Sequence, residues 1–249
     1  MTLVLEKIVE SFPHPTVSPI VGQPSYETIV ELQLKLNTKA ASIYSHLCNG
    51  RLGLLLLTVK PAVYNTQSTV TFDPPTNPGQ NSTIPTGSTG LQIVDIIRRK
   101  KDQFDKFQTY QQTDQTLKTI LIASIDEVYI RLLRGKYIGY ANVTTLQMLT
   151  HLYISYARIS QFNLEENDKR LKQQWDTNQP FKVLIDQIED AIDYAAAGNT
   201  PYYKEQITNT AYNIVYHTGI FRDECKTWRK KYAPDQTWIT FKAEFTLAH

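Results

Sequence analysis

The chain has 249 residues, 41% of them hydrophobic, and a net charge of +2 from 26 basic and 24 acidic side chains. This length suits two domains of ordinary size, since domains commonly run to roughly 100–150 residues. No uninterrupted apolar run exceeds four residues, as at Leu54–Leu57, which is far short of the roughly 20 that a membrane helix needs. The charge balance excludes a dedicated nucleic-acid-binding domain, whose pI usually exceeds about 9, so any RNA contact is local.

Residues 1–24 hold Pro13, Pro15, Pro19 and Pro24 and are expected to form a flexible arm. Glu6 and Glu10 beside Lys7 do not make the basic and apolar regions of a signal peptide, so the expectation is a cytoplasmic protein with free thiols at Cys48 and Cys225. Ser25 caps a helix in which Ile29, Leu32, Leu36, Ala40, Ile43 and Leu47 recur at three- and four-residue spacing, ending near Asn49-Gly50. The apolar run from Leu54 to Val59 and the alternation Thr69-Val70-Thr71-Phe72 allow a short β-hairpin near residues 52–72. Residues 73–90, with Pro74, Pro75, Pro78 and Pro85 among Gly, Ser, Thr and Asn, read as a long exposed loop.

Helical signals dominate from there. Thr89 with Gln92 is a capping-box start, and Ile93, Ile96, Ile97, Phe104 and Phe107 form one face of a helix whose middle is Arg98-Arg99-Lys100-Lys101. Residues 115–133 are apolar on more than one side, which predicts a central buried helix. Thr144 with Gln147 and Asn163 with Glu166 start two more, the second carrying Leu164, Leu171 and Trp175, and the domain junction is expected near Ser160. Pro180 opens and Gly198 closes the next helix, Thr200-Pro201 opens another that ends at Gly219, and Phe221, Cys225 and Trp228 share one side of a third. A final helix after Pro234 uses Trp238, Phe241 and Phe245. The expected fold is all-α: a helical domain over 25–160 and a second over 161–249.

Motifs for phosphate-loop, dinucleotide, zinc-protease and acyl-transfer chemistry are absent, so no enzyme, cofactor or small-molecule substrate is expected. Asp186, Glu189, Asp190 and Asp193 read as a solvated acidic face. His46 with Cys48, and His217 with Cys225, lack zinc-ligand spacing, so no metal is expected. Two basic groups are candidate RNA contacts: Arg98, Arg99, Lys100 and Lys101, and Arg222, Lys226, Arg229 and Lys230. The second is better spaced for a single patch. Among fifteen tyrosines, Tyr202, Tyr203, Tyr212 and Tyr216 lie beside apolar stripes and are candidates for an assembly interface.

From Leu117 onward the order of elements resembles Gag polyproteins of copia-type LTR retrotransposons, especially divergent algal and protist forms. The resemblance lies in the segment from Gly139-Tyr140-Ala141-Asn142 through Leu152-Tyr153. It continues in Leu164-Glu165-Glu166-Asn167-Asp168, in Ile185-Asp186-Gln187-Ile188-Glu189-Asp190-Ala191 with Ala195-Ala196-Ala197-Gly198, and in Thr237-Trp238-Ile239-Thr240-Phe241 with Phe245. It covers roughly residues 90–249 and implies a two-domain, retroviral-capsid-like helical fold. It further implies self-assembly into virus-like particles around retrotransposon RNA. The basic groups are expected to hold that RNA weakly and without sequence preference, in the cytoplasm, and the short apolar runs leave no membrane partner expected. One departure stands out: the C-x2-C-x4-H-x4-C zinc knuckle is missing, so either it follows His249 or basic side chains alone hold RNA. The alternative function is a helical adaptor that binds a cellular partner as a discrete small oligomer.

Overall fold

The computed structural model describes residues 17–45, 51–71, 73–79 and 84–248. The chain divides into two compact units, residues 1–158 and 159–249. Nine α-helices and no named strand occur among the described residues, so the protein is mostly helical. An isolated β-bridge joins Gly135 to Gly139.

In the first unit, α1 (Tyr26–Ser42) starts at a capping box in which the Ser25 hydroxyl accepts from the Thr28 N–H and the Thr28 hydroxyl accepts from the Ser25 N–H. Its apolar stripe, Ile29, Leu32, Leu36 and Ala40, is buried. The helix stops at Ser42 because Ile43 turns to extended backbone, earlier than the stripe suggests; Asn49 and Gly50 lie outside the described residues. A 3-10 turn at Leu55–Leu57 leads to α2 (Pro61–Gln67). A hairpin over 52–72 is therefore corrected to a turn and a helix. Pro61 sits in the first helical turn, where its missing N–H leaves no bond unmade, whereas in a strand pair it would remove a ladder bond. Leu56, Leu57 and Tyr64 reach the core from this arrangement. Val70 stays exposed, its backbone N–H held by Ser68 Oγ at 3.0 Å, and Phe72 lies outside the described residues.

α3 (Gly90–Ala123) is a single helix of 34 residues, about 50 Å long, capped by Thr89 and Gln92. The separate buried helix expected over 115–133 is corrected: residues 115–123 are the last quarter of α3. It ends at Ser124, and two 3-10 turns, Glu127–Tyr129 and Arg131–Leu133, follow. Asp126 makes this break by accepting from the Val128 N–H, a local bond that competes with continued helix. α4 (Thr145–Tyr156) begins at the Thr144–Gln147 capping box and is pinned to α3. The Thr145 N–H donates to Asp114 Oδ1 at 3.0 Å, and Lys118 Nζ donates to the carbonyls of Tyr140 and Val143 at 3.1 and 2.9 Å. Ile29, Leu36, Leu117, Leu121, Met148 and Leu152 meet in the core. The end of the expected arm is bound to this core. Val17 and Ile20 pack against it and the Ile20 N–H donates to the Ser124 carbonyl at 2.8 Å, while residues 1–16 lie outside the described residues.

In the second unit, α5 (Gln161–Leu171) is capped by Ser160 with Asn163, not by Asn163 with Glu166. Asn167 lies on its inner face, where its Nδ2 donates to the Ala191 carbonyl at 2.8 Å. Trp175 lies beyond the helix in the link to α6 (Phe181–Ala197), buried with its ring against Phe181. Gln187 Nε2 donates to the carbonyls of Arg170 and Gln173 and so closes the end of α5. α7 (Lys204–Thr218) begins after Tyr203 rather than at Thr200-Pro201; the Thr200 N–H instead closes the end of α6 on the Ala195 carbonyl at 2.9 Å. Gly219 ends α7 at φ +71°, a conformation that glycine adopts without steric cost. α8 (Arg222–Lys230) and α9 (Trp238–Ala248) complete the unit. Its core is aromatic: Trp175, Phe181, Phe221, Trp228, Phe241 and Phe245 are all buried.

Candidate functional site

The end of α7 and one face of α8 enclose a groove of about 510 Å³. Arg222, Lys226 and Arg229 all line it, because spacings of four and three return to the same side of a helix. Lys230 lies beside that row and outside the lining. Beneath the cations, Phe221 and Cys225 are buried. Burial pushes the Cys225 thiol above its usual range, opposed by the charge of Arg229, so the floor is a neutral thiol and a phenyl ring.

Arg229 is the most constrained cation of the row. Its Nε donates to Tyr212 Oη at 2.5 Å, and its guanidinium carbon lies 4.6 Å from the centre of the Tyr216 ring. Tyr212 and Tyr216, one turn apart on α7, stack at 5.8 Å with 20° between their planes. Hydrogen bonding to Tyr216 and then Tyr212 raises the Arg229 pKa further. His217 Nδ1 lies 2.6 Å from the Asn213 carbonyl, which can only accept, so that nitrogen carries the proton. Lys226 pairs with Asp223 at 2.9 Å, which holds that carboxyl below its usual range; both groups are exposed, and such pairs contribute little.

The four tyrosines are not brought together. Tyr212 and Tyr216 belong to the groove wall, whereas Tyr203 is exposed at the start of α7. Tyr202 is tied inward: its hydroxyl donates to Asp168 Oδ1 at 2.6 Å and accepts from Asn167 Nδ2 at 3.1 Å. Burial, and then Asp168, raise its pKa strongly.

The other basic group lies on α3. Arg98 and Arg99 both pair with Asp95 at 2.7 Å, and the bond from Arg98 leads in holding that carboxyl below its usual range. Lys100 is half-buried and Lys101 exposed. Four consecutive positions fan around a helix, and here Arg98 and Arg99 converge on Asp95, so no single phosphate track uses all four.

Sequence reasoning missed a feature of the same helix. In its first half Leu91, Val94, Ile97 and Phe104 are 86%, 63%, 52% and 39% exposed, whereas Thr113, Thr116, Leu117 and Leu121 are buried in its second half. At about 100° per residue, the apolar stripe centred on Ile93, Ile97 and Phe104 lies roughly half a turn from the face that Thr113 and Leu117 bury. That change of phase was the available signal. Among the described residues no group of three or more His, Cys, Asp or Glu side chains is placed to hold a metal, and no helix is long and apolar enough to cross a membrane. Asp186 pairs with Lys182 and Glu189 with Lys242; His46 and Cys48 lie outside the described residues.

No family model matches this chain, and neither a curated protein nor a solved structure does.

Proposed function

We propose that this protein is a structural capsid protein of the Gag type, which self-assembles into a cytoplasmic particle around RNA. The observation that carries the reading is the apolar stripe on the first half of α3. On this stripe Ile97 is 52% and Phe104 39% exposed, with Val94 at 63% on its flank, and exposed apolar surface of this kind marks an association site. Residues 1–158 then act as the N-terminal capsid domain and residues 159–249 as the smaller C-terminal one. Tyr203, at the start of α7, supplies a further exposed aromatic for contacts between copies. RNA is held by phosphate contacts, from the row on α8 and from Lys101 on α3, and its affinity falls steeply with salt as counterions are released.

Negative-stain electron microscopy and light scattering across a concentration series, with and without RNA, test this. Hollow particles that grow in number with concentration are the expected result. A monomer or a fixed small oligomer under all conditions overturns the capsid reading in favour of an adaptor.

A further inference from the structure

The α7–α8 groove holds more than a phosphate track requires. Its three cations, Arg222, Lys226 and Arg229, rise along roughly 10 Å of helix, a length that suits a strand better than a lone phosphate. The floor is apolar, and Tyr216 in the wall is 48% exposed, so part of an aromatic side chain is within reach of a ligand. Tyr212 stacks on that ring and the Arg229 guanidinium lies against it, so the ring is held in place before any ligand arrives.

We propose that this groove takes one unstacked nucleotide of single-stranded RNA, its base against Tyr216 and Arg229 and its flanking phosphates on Arg222 and Lys226. The inference deepens the RNA contact proposed above and rests on it. A base face is available only in an unpaired strand, because a duplex keeps its bases stacked on one another. Asp223 is the acidic group facing the row, and its exposed bond to Lys226 exchanges for a phosphate at little cost.

The test uses the full chain, a short fluorescent single-stranded oligouridine, and a duplex RNA of the same length. Tyr216→Ala is expected to weaken single-strand binding about 5- to 100-fold, the range for loss of one base–aromatic stack, and to leave duplex binding unchanged. Tyr216→Trp, which keeps a stacking face, is expected to retain single-strand binding. Equal losses on both probes, no loss on either, or failure of the tryptophan variant to bind overturns the stacking site. Competition by uridine monophosphate as effective as that of the oligonucleotide overturns the assignment to a strand. The double variant Arg222→Glu/Lys226→Glu separates the two proposals. Unchanged RNA affinity there removes this basic row as an RNA contact altogether, whereas loss there with no effect of Tyr216→Ala removes only the stacked nucleotide.

Discussion

Tyr153 Oη donates to Gln33 Oε1 at 2.6 Å, joining α4 to α1 across 120 positions of sequence. Gln33 Nε2 in turn donates to the Thr58 carbonyl at 2.7 Å, so one glutamine ties two helices to the turn before α2. Burial, and then Tyr26, push the Tyr153 hydroxyl up to about 12. Removing the hydroxyl leaves a half-buried acceptor with one partner fewer. Tyr153→Phe is expected to destabilise the first unit by about 1–2 kcal/mol, read as a lower urea midpoint with unchanged slope.

The same group makes stability depend on pH at the alkaline end. An unfolded tyrosine ionises near pH 10, and Tyr153 folded does so near 12, so the folded state holds its proton longer. Its contribution is complete below about pH 10 and is lost as pH rises through about 12. Tyr202, raised in the same direction by burial and by Asp168, adds to the loss. Urea midpoints should fall over this window in the parent protein and fall less in Tyr153→Phe; parallel curves would contradict the assignment.

Gly53 and Gly139 separate strain from crowding. Both have positive φ, +48° and +57°, but a Cβ at Gly53 would stand 2.3 Å from the Ala41 carbonyl oxygen, whereas one at Gly139 meets nothing within 4 Å. Gly139→Ala is expected to cost about 1–2 kcal/mol from backbone strain alone. Gly53→Ala must also move backbone, and should cost more than about 3 kcal/mol or prevent folding. Chemical denaturation of the two variants side by side checks the order.

Ile97→Asp, on the exposed stripe of α3, is expected to abolish self-association and to leave thermal stability within about 0.5 kcal/mol of the parent. Leu117→Ala, on the same helix but fully buried, should cost about 2–5 kcal/mol. Sedimentation velocity and thermal melts distinguish the two effects. An Ile97→Asp variant that still associates would show that the stripe is not the contact.

Much of the helical architecture is written in local chemistry. The caps at Ser25, Thr89 and Thr144 and the closures at Gly198 and Gly219 depend on bonds or backbone angles within about four residues, so side-chain type and spacing are sufficient to find them. The row Arg222, Lys226 and Arg229 is legible for the same reason, since helical spacing alone aligns it. Other features depend on what lies opposite in space. Asn167 of α5 is held by the Ala191 carbonyl, 24 positions away, a partner that no local pattern reveals. Tyr202 is drawn inward by Asp168, 34 positions away, while Tyr203 beside it stays exposed. Residues 61–67 coil because Tyr64 finds the core that way. The groove and the uncovered stripe on α3 belong to this second class: local pattern determines which residues share a face, and only tertiary packing decides whether that face is covered.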